Sequence, residues 1–194
     1  MKIKQIEAIL KNQKTIIVSE TKECQWLSNG EACYPVYNLP KLTRENIFTM
    51  FDINESKWDK FYFKEQELPS HINFSDEDEA ELMVEQSKIE FNVSGRTLVL
   101  LKTSQGMVFI NARYLRPFSD LVDGFELYER TSKAGTPYIA VKSGFVLLGV
   151  ILPYDLINEK FIVELEDILN FSKMSLFNKQ SKMTEESTAE QLKL

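Results

Sequence analysis

Cysteine and histidine are scarce in this chain: its 194 residues hold two of the first and one of the second. Two cysteines do not make the disulfide framework of a small secreted fold. The lone histidine, His71, has no second histidine or cysteine cluster to complete a metal set, and it is expected to be a surface side chain. Glycine is also rare, with seven scattered copies. Neither G-x-x-x-x-G-K nor G-x-G-x-x-G occurs, so no phosphate-cradling loop is encoded. Ser94-Gly95 and Ser143-Gly144 read as turns and form no G-x-S-x-G nucleophile elbow. No cofactor, metal or catalytic residue is expected. Long apolar runs are missing as well. The longest covers residues 145–153, too short to span a bilayer. The opening MKIKQIEAIL sets charges inside its apolar stretch and offers no small-residue cleavage site, unlike a signal peptide. A soluble cytoplasmic protein without a membrane partner is expected.

What the chain does hold is apolar material, 43% of its residues with 13 phenylalanines. That suffices for one large core or two small coupled ones. The formal charge of −6 excludes a uniformly basic nucleic-acid binder. A local basic face remains open, because affinity for phosphate follows where charges sit and not their sum.

Ile3, Ile6, Ile9 and Leu10 recur at helical spacing, with Lys2, Lys4, Lys11 and Lys14 on the other face, which predicts a first helix. The β-branched run TIIVS at 15–19 predicts a strand. Residues 23–27 and 32–36 flank Ser28-Asn29-Gly30, and Asn-Gly between apolar segments is a strong hairpin signal. A turn at Asn29-Gly30 makes Cys24 and Cys33 diagonal neighbours on one face, expected to be two reduced, buried thiols. The sequence next predicts a short helix over 43–51 behind Thr43 and a strand over 58–64 (WDKFYFK). Asp76, Glu77, Asp78 and Glu79 then form an acidic run, expected to be a solvated loop or a helix start. Residues 82–93 and 96–103 read as a second hairpin turning at Ser94-Gly95, and residues 107–110 follow Gly106. A helix is expected over 111–122, kinked or started at Pro117. A strand over 125–129 and a third hairpin, 137–141 with 145–152, come after it. A last helix is expected over 158–171, within a segment 156–171 set apart from the domain. The polar tail, 172–194, has little to bury and is expected to fray. Leu192 and Leu194 in that tail are candidates for a short docking motif.

The order helix, strand, glycine-turned hairpin and Leu-Pro occurs twice. Ten residues separate Gly30 from Pro40 and nine separate Gly144 from Pro153. The expected fold class is therefore α+β, one domain over residues 1–155 built from two pseudo-repeated helix-plus-antiparallel-sheet units, about 1–66 and 81–155.

Three features of residues 106–153 carry a family resemblance. A strand runs directly into Phe109-Ile110-Asn111-Ala112-Arg113-Tyr114-Leu115, similar to a pattern in which F-N-A-R-Y-L opens a helix. Residues 125–129 supply the following strand. Thr136-Pro137-Tyr138-Ile139-Ala140 and residues 145–153 resemble a closing hairpin with an S-P-x-x-I start and an apolar-Pro end. In these features the chain resembles the bacterial DNA sliding clamp, the beta-type polymerase processivity factor. In the first half, Trp26-Leu27-Ser28-Asn29-Gly30-Glu31-Ala32 sits where clamps carry T-D-G-H-R-L-A, with the Asp, His and Arg unmatched. The resemblance implies a DNA-clamp-like domain whose helices face the duplex and whose sheets form the outside. A clamp subunit carries three such domains and this chain has room for one, so encircling DNA would take about six copies. The central residues 41–90 do not map onto the clamp pattern.

That resemblance assigns DNA contact to Lys2, Lys4 and Lys11 of the first helix and Arg113 and Arg116 of the second. They would touch backbone phosphates without reading bases. The acidic residues concentrate elsewhere, at 52–59 and 65–90. One expected function is a non-enzymatic clamp-fold accessory protein of DNA replication or repair, of the kind a phage or mobile element encodes. The other is an acidic interaction module, an adaptor or inhibitor of a host nuclease or polymerase, binding through Asp76, Glu77, Asp78 and Glu79 without encircling DNA. Either is compatible with oligomerisation. A metabolic or metal enzyme is disfavoured by the missing motifs.

Overall fold

Two three-stranded meanders meet edge to edge in the main sheet. The computed structural model describes residues 2–122 and 124–191. In it α1 (Ile3–Gln13) leads into β1 (Thr15–Glu20), β2 (Gln25–Ser28) and β3 (Ala32–Val36). After α2 (Arg44–Met50) and a 3-10 helix (Glu55–Lys60), β4 (Tyr62–Glu65) returns parallel to β1. The second half runs β5 (Leu82–Met83), β6 (Glu85–Val93), β7 (Arg96–Thr103), β8 (Gly106–Asn111), a 3-10 helix (Ala112–Phe118), β9 (Glu126–Thr131), β10 (Pro137–Ser143) and β11 (Val146–Ile151). The main sheet has eight strands in the order β4-β1-β2-β3-β11-β10-β9-β5, and β6-β7-β8 form a separate antiparallel sheet. The protein is thus α+β with a mixed main sheet. It divides into two units, one ending at Tyr154 and one beginning at Asp155. The second contains α3 (Glu159–Gln191).

The hydrophobic pattern decides which face each element covers. Ile6, Ile9 and Leu10 of α1 join Ile47 and Phe48 of α2 over Ile16, Leu27, Tyr34, Ile139 and Ile151 of the main sheet. Val99, Leu101 and Ile110 of the small sheet and Tyr114 and Phe118 complete this core. Alternation along the strands sends Trp26, Cys33, Tyr138, Ala140, Leu147 and Val150 to the other face, where Leu68, Ile72 and Phe74 cover them. Trp26 meets the Phe74 ring edge-on at 5.0 Å. The join between the meanders is tight. A Cβ on Gly149 would lie 3.0 Å from both the Cys33 carbonyl oxygen and the Phe118 ring, so only glycine lets β11 and β3 approach this closely.

Several elements differ from what the sequence predicts. The first hairpin pairs Ser28 with Cys33, and its turn residues are Gly30-Glu31, with Gly30 at φ 92°. That register moves Cys24 away from Cys33, so the two free thiols are not diagonal neighbours. The second hairpin does turn at Ser94-Gly95, both at positive φ. In the aromatic segment only β4 is strand. Asn54 accepts from Ser56 N at 2.9 Å and starts a 3-10 turn, which carries Trp58 back against Phe48 at 5.3 Å. The helix expected over 111–122 is the shorter 3-10 segment, because Pro117 inside it has no N–H for an α-helical bond. Finally, α3 continues to Gln191, well beyond the expected end at Phe171. Leu192 and Leu194 lie outside the described residues.

Candidate nucleic-acid interface

The surface shared by α1 and the Ala112–Phe118 helix gathers the candidate cations. The two segments lie side by side with opposite directions. Lys2 N donates to Pro117 O at 2.9 Å near one end. Gln13 Nε2 donates to the Tyr114 hydroxyl at 2.7 Å near the other, where Arg113 Nη1 also donates to Asn12 Oδ1. Buried Ile6, Ile9 and Leu10 turn inward, leaving Lys4 exposed on α1. Asn111 caps the second segment, its Oδ1 accepting from Arg113 N at 3.1 Å. With Tyr114, Pro117 and Phe118 buried, Arg116 is left exposed.

A partly buried polar knot, with Asn29 and Tyr114 inside and Gln13 and Glu31 at its edge, fixes this arrangement. The Tyr114 hydroxyl donates to Glu31 Oε2 at 2.5 Å and accepts from Gln13 Nε2 and, at 3.2 Å, from Asn29 Nδ2. Asn29 Nδ2 also donates to Gln13 Oε1 at 2.6 Å, while its Oδ1 accepts from Ala32 N at 2.8 Å. One asparagine therefore joins the first hairpin turn to the end of α1 and to Tyr114. Burial, and secondarily the bond to Glu31, pushes the Tyr114 hydroxyl up to about 12, which keeps it a donor at neutral pH.

The five expected DNA-contacting residues are not equivalent. Lys11 Nζ donates to Glu7 Oε1 at 2.9 Å and to Phe51 O at 2.6 Å, so it fastens α1 to the end of α2. Lys2 lies 3.8 Å from Asp120. Lys4, Arg113 and Arg116 make no ion pair among the described residues. Arg96 is a cation the sequence reading did not single out. It lines a polar cavity of about 670 Å³ together with Asn12, Gln13, Arg113 and Arg116. Its guanidinium sits 5.2 Å from the Tyr154 ring and 4.0 Å from Glu31. Its place directly after the Ser94-Gly95 turn was readable; that this turn lies beside α1 was not.

The acidic run sits on the opposite face of the main sheet, in the connection that covers Trp26. Asp76 Oδ1 accepts from Leu147 N at 2.8 Å, and the Asp78 carboxylate accepts from Asn73 Nδ2 and Ala80 N. Glu77 and Glu79 are exposed. Beneath the run lies an ion cluster that the sequence did not reveal. Glu81 Oε2 accepts from Arg130 Nε at 2.8 Å and Nη2 at 2.6 Å, and Glu81 Oε1 accepts from Lys142 Nζ at 2.5 Å. Arg130 also donates to the carbonyls of Asn73, Ser75 and Asp76. Asp76 thus holds the loop to β11, and Asp78 shapes the loop internally.

His71 is exposed. Among the described residues no group of three or more His, Cys, Asp or Glu side chains is placed to hold a metal ion. Burial pushes the Cys33 thiol up to about 12 and also raises Cys24. No described helix is long and apolar enough to cross a membrane. No family model matches this chain, and no match was found among curated proteins or solved structures.

Proposed function

We propose that this protein is a non-enzymatic, clamp-like DNA accessory protein that touches the phosphate backbone of duplex DNA through α1 and the Ala112–Phe118 helix. The observation that carries this reading is the side-by-side seating of these two segments, which collects Lys4, Arg113 and Arg116 from opposite halves of the chain. The strand order supports paired units. Outward from the β3–β11 join, each side runs third, second and first meander strand and then one more strand. A helical segment precedes the first meander strand on each side. Cations on such a surface release counterions from phosphates and need no base contact, so binding is sequence-independent. Lys11 is left out of the contact set because the Glu7 carboxylate offsets its charge and Phe51 O holds its ammonium, whereas Arg113 donates to the neutral Asn12 amide and keeps its charge unpaired among the described residues.

Fluorescence anisotropy with a labelled duplex tests the reading. Combined Lys4→Glu, Arg113→Glu and Arg116→Glu is expected to weaken binding at least about tenfold, with an unchanged circular dichroism melt. Lys11→Met is expected to bind like the parent. Equal affinity in the triple variant and the parent would sink the proposal.

A further inference from the structure

Between residues 162 and 179 α3 carries a seam of partly exposed apolar side chains, and Val163, Phe171, Met174 and Phe177 beside it are 56–69% exposed. Ile162, Ile168, Leu169 and Leu176 are between 41% and 58% exposed, and Leu165 is half-buried. Ile162, Leu165, Leu169, Ser172, Leu176 and Lys179 follow each other at intervals of three and four, the spacing of a helix that packs along a partner helix. A helix of 33 residues is about 50 Å long, and solvated helices draw most of their stability from packing such a face. Charge alternates along it: Glu159, Glu164, Glu166 and Asp167 outweigh Lys160 in the first part, residues 168–181 hold Lys173 and Lys179 and no acid, and residues 182–191 add Lys182 with Glu185, Glu186 and Glu190.

We propose that α3 binds the α3 of a second copy of this chain, as an antiparallel helix pair. Setting Leu165 against the partner's Leu176 also sets Leu169 against the partner's Ser172. The same register puts Glu166 beside the partner's Lys173, and two-fold symmetry repeats every contact. Lys179 falls opposite the partner's Ile162 at the end of the seam, where its stem lies on apolar surface and its ammonium reaches water. Parallel pairing fails on the same residues. It stacks Lys179 on the partner's Lys179 inside the seam and leaves Glu166 beside the partner's Phe161. The placement of Glu166 against Lys173 and of Lys179 at the end of the seam therefore favours a second copy and the antiparallel direction.

Light scattering on the full chain without DNA tests this independently of the proposed backbone contact. The parent is expected at twice the monomer mass at micromolar concentration, and Leu169→Asp at the monomer mass. Glu166→Lys and Lys173→Glu, both surface changes, are each expected to weaken the dimer about tenfold. An equimolar mixture of those two variants is expected to restore it, because each supplies the charge the other lacks. Any of three results would overturn the proposal. These are a monomeric parent (including one that instead floats with anionic phospholipid vesicles), a dimer indifferent to Leu169→Asp, and a mixture no tighter than its two components.

Discussion

Replacing Glu81 by glutamine removes one negative charge from beneath two buried cations, and the consequence follows from the geometry. The Arg130 side chain is 0% exposed, that of Lys142 is 5% exposed, and Glu81 lies between them. In the variant, Arg130 keeps its bonds to the carbonyls of Asn73, Ser75 and Asp76. It loses the charge that offset its desolvation. Lys142 is left with the Tyr128 ring, 5.1 Å from its ammonium. Breaking a buried ion pair by removing one partner costs roughly 3–5 kcal/mol, and a glutamine that still accepts one bond belongs at the lower end, about 3 kcal/mol. For a chain of this size that is a fall in Tm of about 6–12 °C. Urea unfolding followed by circular dichroism measures the loss. Tryptophan fluorescence reports whether the covering loop lifts, since Trp26 packs on Phe74 of that loop. A Glu81→Gln variant within about 0.5 kcal/mol of the parent, with the same denaturant slope, would refute the assignment of this cluster as the loop's anchor.

Tyr114→Phe deprives Gln13 and Asn29 of an acceptor and Glu31 of a donor. It is expected to lower the urea-derived stability by about 1–2 kcal/mol, and a neutral result would remove Tyr114 from the knot. Cys33 is expected to resist thiol reagents at pH 8 in native protein and to react once the chain is unfolded, as read by mass spectrometry; rapid native labelling of Cys33 contradicts its burial. Because the folded Cys33 pKa, about 12, lies above the ordinary 9.0, the folded state holds the proton more tightly. The contribution is complete below pH 9 and is lost as pH rises toward 12. A Cys33→Ala variant is expected to lose less stability over that interval than the parent.

Local signals carried the fold further than the site. The Ser94-Gly95 hairpin was readable because two adjacent positive-φ residues between apolar strands have few other uses. The first hairpin turn slipped because Asn29 serves as an acceptor and donor in the polar knot rather than as a turn residue, a role set by Gln13 and Tyr114 far away in sequence. The length of α3 was present in the sequence. Glycine and proline do not occur after Pro153, so propensity alone favours a long helix, whereas weighing only what could be buried shortened it. Lys4 and Arg116 were readable as exposed cations, but the half-burial of Arg113 and the commitment of Lys11 to Phe51 O were not. Arg130 and Lys142 carried no local signal either. They lie just past the strands expected over 125–129 and 137–141, and a residue 49 and 61 positions away pairs with them.

The dependence of duplex affinity on salt addresses the central claim most directly. If Lys4, Arg113 and Arg116 each neutralise a phosphate, log K against log salt falls with a slope of about −0.9 per contact, near −3 in all, and the slope is the same for unrelated duplex sequences. Lys4→Gln is expected to lower its magnitude by about one contact's worth. A flat salt dependence, or no detectable duplex binding at low salt, would contradict the account.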